Sequence, residues 1–229
     1  MSSEEPDGDA EPPKYTIFKD RRDAGKQLAL MLVKYREQNS VVLALPRGGV
    51  PVGLEVALAL DAPLDILVVR KLGVPGQPEL GMGAVAPGGI VVLDKETISS
   101  LHITSEEVEG TLSQEQAEME RRLSRFRGGK EMVELRNRTV ILVDDGLATG
   151  ITAYAAICAV RACQPRKIVL AAPVAALQTA RTLAREVAEL VSVKTPDKFI
   201  AVGIWYDDFE QTTDEEVLSL IAESHLRLL

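Results

Sequence analysis

The sequence predicts an α/β protein with a mainly parallel sheet of about five strands, flanked by helices and topped by a small hood. Uninterrupted apolar runs of strand length recur along the chain, and stretches with helical spacing separate them. Several of these runs end in glycine, proline or charged residues just before the next helix begins. Strands and helices that alternate in this way form a parallel sheet with helices on both faces.

The composition indicates one domain. Of 229 residues, 46% are apolar, which is enough for a substantial core. A formal charge of −8 argues against a nucleic-acid-binding surface. The apolar runs are too short to span a membrane and no secretory leader is apparent, so the sequence predicts a cytoplasmic protein with no membrane partner. We expect a disordered acidic tail over 1–13 and a single domain over 14–229.

The first half of the chain predicts a layered βα arrangement. An amphipathic helix over 20–36 precedes a buried strand over 41–45, and the next helix continues through residue 60. A strand is expected over 64–69. A β-hairpin over 81–93 is predicted from the turn signal Pro87-Gly88-Gly89.

The second half begins with an inserted helix. Thr104-Ser105-Glu106-Glu107 has the pattern of a capping box, which predicts a charged helical insertion over 104–127. The other elements expected are a strand over 140–143, a helix over 154–162, a strand over 168–172, a helix over 175–190, a strand over 191–193, the hood over 195–212 and a helix over 213–228.

Residues 140–152, VILVDDGLATGIT, carry the strongest functional signal. The apolar run ends at Asp144 and Asp145, and a parallel sheet binds its ligands at that end of its strands. The small residues that follow lead into a helix, whose first N–H groups and positive dipole end suit a phosphate. Ionised carboxylates accept hydrogen bonds from neighbouring hydroxyls. The motif therefore predicts a site for a sugar phosphate.

Two further segments place cations at the same edge. Pro46-Arg47-Gly48-Gly49 follows a buried strand and opens a helix. Its glycines let the backbone approach an anion, and Arg47 supplies a planar, bidentate donor. Arg70 and Lys71 end the next predicted strand. These positions predict that anionic groups bind along this edge.

Four aromatic residues lie close together near the end of the chain: Phe199, Trp205, Tyr206 and Phe209. Aromatic residues make up only 4% of the sequence, so the cluster indicates either a hydrophobic cap or a flat wall for a ring-shaped ligand. The residues alone leave both interpretations open.

The motif over 140–152 resembles the PRPP-binding signature of type I phosphoribosyltransferases. PRGG is similar to the pyrophosphate loop of that family, and RKLG to the arm that closes over pyrophosphate. The resemblance covers most of the chain. It implies catalytic roles for Asp144, Asp145, Arg70 and Lys71, binding of the 5′-phosphate by Ala148, Thr149, Gly150, Ile151 and Thr152, and binding of pyrophosphate by Arg47, Gly48 and Gly49.

The segment Pro196-Asp197-Lys198-Phe199 resembles the base-binding region of hypoxanthine-type members. This resemblance implies that Phe199 and Ile200 contact the base and that Asp207 lies near the pyrophosphate and its Mg²⁺, which PRPP mainly holds. Ala148 departs from the pattern, because hypoxanthine-type members have an aspartate there. Leu147-Ala148-Thr149-Gly150 instead resembles uracil-type members, so the acceptor and the general base stay open.

The resemblance implies transfer of the 5-phosphoribosyl group from PRPP to a nitrogenous base, a purine or a pyrimidine, with release of pyrophosphate. It also implies a homodimer. A PRPP-sensing regulator of the same fold without turnover is the alternative, and a hydrolase that binds ribose 5-phosphate or a nucleotide is a third interpretation. The chain has no basic helix-turn-helix segment, which favours the enzyme.

Overall fold

Two sheets and their flanking helices form the part of the chain that the computed structural model describes, residues 17–227. The predicted tail over 1–13 lies outside these residues. The strands are β1 (Ser40–Ala44), β2 (Leu64–Ile66), β3 (Arg70–Val74), β4 (Gln77–Ala86), β5 (Ile90–Leu93), β6 (Thr139–Val143), β7 (Lys167–Val174) and β8 (Glu189–Lys194). The α-helices are α1 (Arg21–Leu32), α2 (Gly49–Leu60), α3 (Lys95–Ser100), α4 (Ser105–Arg127), α5 (Ile151–Ala162), α6 (Leu177–Leu183) and α7 (Asp214–Arg227). None of these helices has both the length and the apolar character needed to cross a bilayer.

The central sheet has five parallel strands in the order β2-β1-β6-β7-β8, which confirms the predicted α/β class. Every residue of β1 and β6 is buried. Successive residues of β6, such as Val140 and Ile141, belong to hydrophobic cores on opposite faces of the sheet. Burial on both faces explains why these strands are uninterrupted apolar runs in the sequence.

The order of the strands changes direction between β1 and β6. β2 is added on one side of β1, whereas β6, β7 and β8 follow on the other. Open parallel sheets bind ligands at such a switch point, beyond the carboxyl ends of the two strands. The loops at this point contain Arg47-Gly48-Gly49 and Asp144-Asp145. The topology therefore brings the two sequence motifs to one crevice.

A second, antiparallel sheet corrects the strand predicted over 64–69. β2 ends at Ile66, and Leu67 makes the last bond to the central sheet, its N–H donating to the carbonyl oxygen of Ala44 at 3.0 Å. The chain then crosses to the sheet β3-β4-β5. Arg70 and Lys71 consequently lie on β3 and not at the end of a parallel strand. The predicted hairpin is present as β4 and β5, with β4 beginning earlier, at Gln77.

The helix predicted over 175–190 is also wrong in length. α6 ends at Leu183, and β8 already begins at Glu189, where it pairs with Val169 of β7. The last residues of the predicted helix therefore belong to strand β8. The predicted capping box is present, formed by Thr104 and Glu107 at the start of α4.

The hood, residues 195–212, packs against the beginning of the described chain. Tyr206 pairs with Phe18 in an isolated β-bridge, and the centres of the two rings lie 5.3 Å apart. Trp205 and Tyr206 are buried in the same cluster, whereas Phe199 is only partly buried. Trp205 and Tyr206 therefore form a hydrophobic cap, whereas Phe199 and Phe209, the other two rings of the hood, are only partly buried.

The contact between α1 and α2 predicts a large cost for a small substitution. A Cβ atom at Gly25 would lie 2.8 Å from the carbonyl oxygen of Val52. Gly25→Ala is expected to lower the free energy of unfolding by about 1–3 kcal/mol, the usual cost of overpacking. Gly110→Ala in α4 is the matched control, because no atom lies within 4 Å of its added Cβ. The control should be neutral or stabilising by up to about 1 kcal/mol. Urea unfolding measures both, and equal losses would contradict this interpretation.

Candidate functional site

The loop after β1 lies directly against the acids after β6. A Cβ atom at Gly48 would lie 2.0 Å from Oδ2 of Asp145, and one at Gly49 would lie 2.7 Å from the carbonyl oxygen of Val143. Real Cβ atoms do not approach so closely, so only glycine fits at these two positions. The structure thus brings the predicted glycine loop and the predicted acid pair into contact.

The two adjacent acids have different surroundings. An oxygen of Asp144 accepts a hydrogen bond from the backbone N–H of Asp145 at 2.9 Å. Burial raises the pKa of the Asp144 carboxyl well above its ordinary value, and the neighbouring charge of Asp145 raises it further. Asp145 itself accepts a hydrogen bond from Nε of Arg21 at 2.8 Å, and its carbonyl oxygen accepts one from the hydroxyl of Tyr206. Asp145 is therefore paired with a cation, whereas burial favours the neutral form of Asp144.

The chain turns from β6 into α5 through a loop of small residues. Gly150 caps the helix with φ +81°, a left-handed conformation that glycine adopts without strain. Ala148 and Thr149 are exposed, and the carbonyl oxygen of Ala148 accepts a hydrogen bond from the Thr179 hydroxyl. The helix begins at Ile151, slightly earlier than predicted. Its first N–H groups have no partner within the helix, so this turn can bind an anion.

Each of the three predicted anion-binding cations has a partner within the chain. Nη1 of Arg47 lies 3.4 Å from Asp214, Nε of Arg70 lies 2.7 Å from Glu115, and Nζ of Lys71 donates to the carbonyl oxygen of Glu79 at 2.8 Å. The bond to Glu115 holds Arg70 against α4. The Lys71 side chain lies near the start of α5. A Cβ atom at Gly81 would lie 3.3 Å from Cδ of Lys71 and 3.9 Å from Cγ2 of Ile151, the first residue of that helix.

The hood closes against the acid loop through Val202 and Tyr206. A Cβ atom at Gly146 would lie 2.4 Å from Cγ1 of Val202, so the two segments touch. The three predicted hood residues are more exposed. Phe199 is partly buried, Ile200 is 63% exposed, and Asp207 is exposed with its backbone N–H donating to a carbonyl oxygen at the start of the described chain. These three residues are therefore at the surface of the hood, and none of their contacts reported above is with the acid pair or the glycine loop.

No sequence motif marks three residues that contact predicted site residues: Arg21, Glu115 and Asp214. Each comes from a segment distant along the chain, and Arg21 is 124 residues from its partner Asp145. No local pattern marks such a pair. The only available signal was the high charge of α4, which contains Glu115.

A family model described as phosphoribosyl transferase domain matches residues 15–208. The chain belongs to the phosphoribosyltransferase family. This confirms the resemblance inferred from the motifs, and the matched range includes every predicted site residue. It ends before Asp214, the partner of Arg47.

Other phosphoribosyltransferase relatives support the assignment. Two Mycobacterium tuberculosis proteins, from strains CDC 1551 / Oshkosh and ATCC 25618 / H37Rv, are provisionally named phosphoribosyl transferases. Each is 44% identical over 209 residues, which is 91% of this chain and 47% of the relative. The chain thus spans about half the length of these curated relatives.

The crystal structure of TT1426 from Thermus thermophilus has 39% identity and a TM-score of 0.75, over 90% of this chain and 98% of that one. AQ2163 from Aquifex aeolicus, with 12% identity and a TM-score of 0.52 over 80% and 78% of the two chains, shows the fold alone.

The described side chains offer few ligands for the Mg²⁺ that the family resemblance implies. Within residues 17–227, no three histidine, cysteine or acidic side chains are grouped so as to hold a metal ion. Mg²⁺ commonly binds through one or two carboxylates together with substrate phosphates. An exposed carboxylate at Asp207 fits that mode, in which the substrate supplies most of the ligands.

The surroundings of Asp144 predict a stability change that depends on pH. Its pKa is higher in the folded than in the unfolded chain, so the folded protein binds more protons between these two values and loses stability as the pH rises through that interval. Asp144→Asn removes this loss. The free energy of unfolding at pH 7 should increase by on the order of 1 kcal/mol. The gain should shrink as the pH falls toward the ordinary carboxyl pKa of about 4. Urea unfolding at both pH values tests this, and a loss of stability at neutral pH would contradict it.

Proposed function

We propose that the chain transfers the 5-phosphoribosyl group of PRPP to a nitrogenous base, a purine or a pyrimidine, and releases pyrophosphate. PRPP needs three adjacent binding regions: one for its 5′-phosphate, one for its ribose hydroxyls and one for its pyrophosphate. The observation that carries the proposal is the contact of Gly48 with Asp145, at the beginning of the loop that leads into α5. These three elements supply the three regions in one crevice.

The proposed roles follow from the chemistry of each element. Asp144 and Asp145 accept hydrogen bonds from the ribose hydroxyls. The pyrophosphate binds on Arg47, Gly48 and Gly49, with added positive charge from Arg70 and Lys71. To contact pyrophosphate, Arg47 and Arg70 exchange their carboxylate partners for phosphate oxygens. The 5′-phosphate binds at the start of α5, on residues Ala148, Thr149, Gly150, Ile151 and Thr152.

The reaction proposed is a displacement at the anomeric carbon of the ribose. The bond from this carbon to the pyrophosphate oxygen breaks with its electron pair remaining on pyrophosphate. The acceptor nitrogen forms the new bond from the opposite face and loses its proton. Positioning and charge stabilisation account for the catalysis, so no covalent nucleophile is needed. Asp207 would hold Mg²⁺ together with the phosphates of PRPP, and the bound ion would supply positive charge to the leaving group.

The acceptor site is proposed to lie under the hood. Phe199 is a hood ring that is only partly buried, and the adjacent Ile200 offers apolar surface. A base stacked on Phe199 would bury both side chains. Ala148 supplies no acid or base at the loop, so the proton of the acceptor leaves by another route. The identity of the base is therefore a question for experiment.

Replacing the acids tests the proposed PRPP site. Asp145→Asn should lower kcat/KM for PRPP by at least about 10-fold, the value of a lost hydrogen bond to a charged group, and Asp144→Asn should lower it by up to about 10-fold, the value of a lost hydrogen bond to a neutral group. Asp61→Asn is the control, because Asp61 is an exposed acid at the far end of α2. Pyrophosphate release is the measurement. Unchanged kinetics in both acid variants would contradict the assignment.

A panel of acceptors tests the reaction itself. Pyrophosphate release from PRPP with Mg²⁺ should depend on one or a few bases among purines, pyrimidines and small amines. Binding of PRPP without turnover of any acceptor would instead support the PRPP-sensing regulator. Failure to bind PRPP would contradict both functions.

A further inference from the structure

Arg21 lies where the acid pair meets the glycine loop. It is the first residue of α1, and its Nε donates to Oδ2 of Asp145 at 2.8 Å. A Cβ atom at Gly48 would lie 3.1 Å from this same Nε and 2.0 Å from the same carboxylate oxygen. The guanidinium group of Arg21 thus borders both the proposed ribose acids and the proposed pyrophosphate loop.

The hood holds the other side of this guanidinium group. Nη1 donates to the carbonyl oxygen of Glu210 at 2.6 Å, and Cζ lies 3.9 Å from the centre of the Phe209 ring. These contacts fix the position of Arg21 independently of Asp145. The side chain is 12% exposed. It therefore stays in the crevice even when Asp145 binds another group.

The hydrogen-bonding capacity of Arg21 is incompletely used. An arginine has five N–H donors in a planar fork that matches phosphate oxygens. Among residues 17–227, Nη2 of Arg21 has no hydrogen-bond or ion-pair partner. Within the same residues its one carboxylate partner is Asp145, the side chain proposed to bind the ribose. A donor group remains for a ligand beside Gly48.

We propose that Arg21 binds the pyrophosphate of PRPP through its terminal nitrogens, as an additional cation of the site. The inference rests on the proposed function. The hood contacts hold the guanidinium group in place while Nη2 of Arg21 donates to the phosphates on the glycine loop, and binding of the ribose hydroxyls to Asp145 weakens its ion pair with Arg21. As the electron pair of the breaking bond moves onto pyrophosphate, Arg21 stabilises the added negative charge. The first turn of α1 therefore belongs to the active site.

Three related ligands can show whether Arg21 binds the pyrophosphate or the sugar phosphate. PRPP contains the ribose, the 5′-phosphate and the pyrophosphate, whereas ribose 5-phosphate lacks the pyrophosphate and inorganic pyrophosphate lacks the sugar. Titration calorimetry with Mg²⁺ measures the affinity for each. Arg21→Gln should weaken the binding of PRPP and of pyrophosphate by at least about 10-fold, the value of a charge-assisted hydrogen bond. Ribose 5-phosphate should bind as well as before or more tightly, because Asp145 loses a competing partner.

Two further variants control for charge and for folding. Arg36→Gln removes the same charge from an exposed position beyond α1 and should leave all three affinities unchanged. Arg21→Lys keeps the charge but loses the planar fork, so it should restore part of the affinity for PRPP. Thermal unfolding of each variant shows whether the hood remains packed.

The possible failures are distinguishable. If Arg21→Gln weakens ribose 5-phosphate as much as PRPP, or leaves PRPP binding unchanged, Arg21 does not bind pyrophosphate and the inference is wrong while the proposed function stands. If the unaltered chain binds neither PRPP nor ribose 5-phosphate, the proposed function fails and the inference fails with it.

Discussion

The contact between a glycine loop and a pair of adjacent acids at the switch point of the parallel sheet determines the rest of the site. β1 and β6 are neighbours, so the loops that follow them emerge side by side. Glycine at 48 and 49 lets one backbone rest on the carboxylate of Asp145 and on the end of β6. Any larger side chain would push the loops apart and separate the proposed ribose and pyrophosphate regions.

The arginines at and around the proposed site are paired with acidic side chains. Acids and cations meet here in pairs: Arg21 with Asp145, Arg47 with Asp214 and Arg70 with Glu115. Helix α4 contributes to two of these pairs. Glu115 of α4 is the partner of Arg70. Arg125 of α4 lies 3.3 Å from Asp214, which is the partner of Arg47. The inserted helix is thus connected to the proposed pyrophosphate region and is more than a solvated surface element. An anionic ligand that binds these cations would replace their carboxylate partners.

Local patterns predicted much of the fold and the centre of the site. The glycine loop and the acid pair follow fully buried strands, so continuous apolar runs marked them. The same signal misplaced Arg70, because Leu67, Val68 and Val69 are buried in a crossing segment that lies beyond the end of β2. An apolar run indicates that a segment is buried, but it does not indicate whether that segment pairs with a neighbouring strand. Arg21 could not be predicted, since its partner Asp145 is distant along the chain and only the folded chain brings the two together.

The most direct test of a sugar-phosphate site is a crystal structure of the chain with ribose 5-phosphate. We expect the phosphate to bind at the start of α5, near Gly150 and Ile151, with the two ribose hydroxyls within hydrogen-bond distance of Asp144 and Asp145. A sugar phosphate bound elsewhere on the protein, or bound with its hydroxyls directed away from both acids, would contradict it.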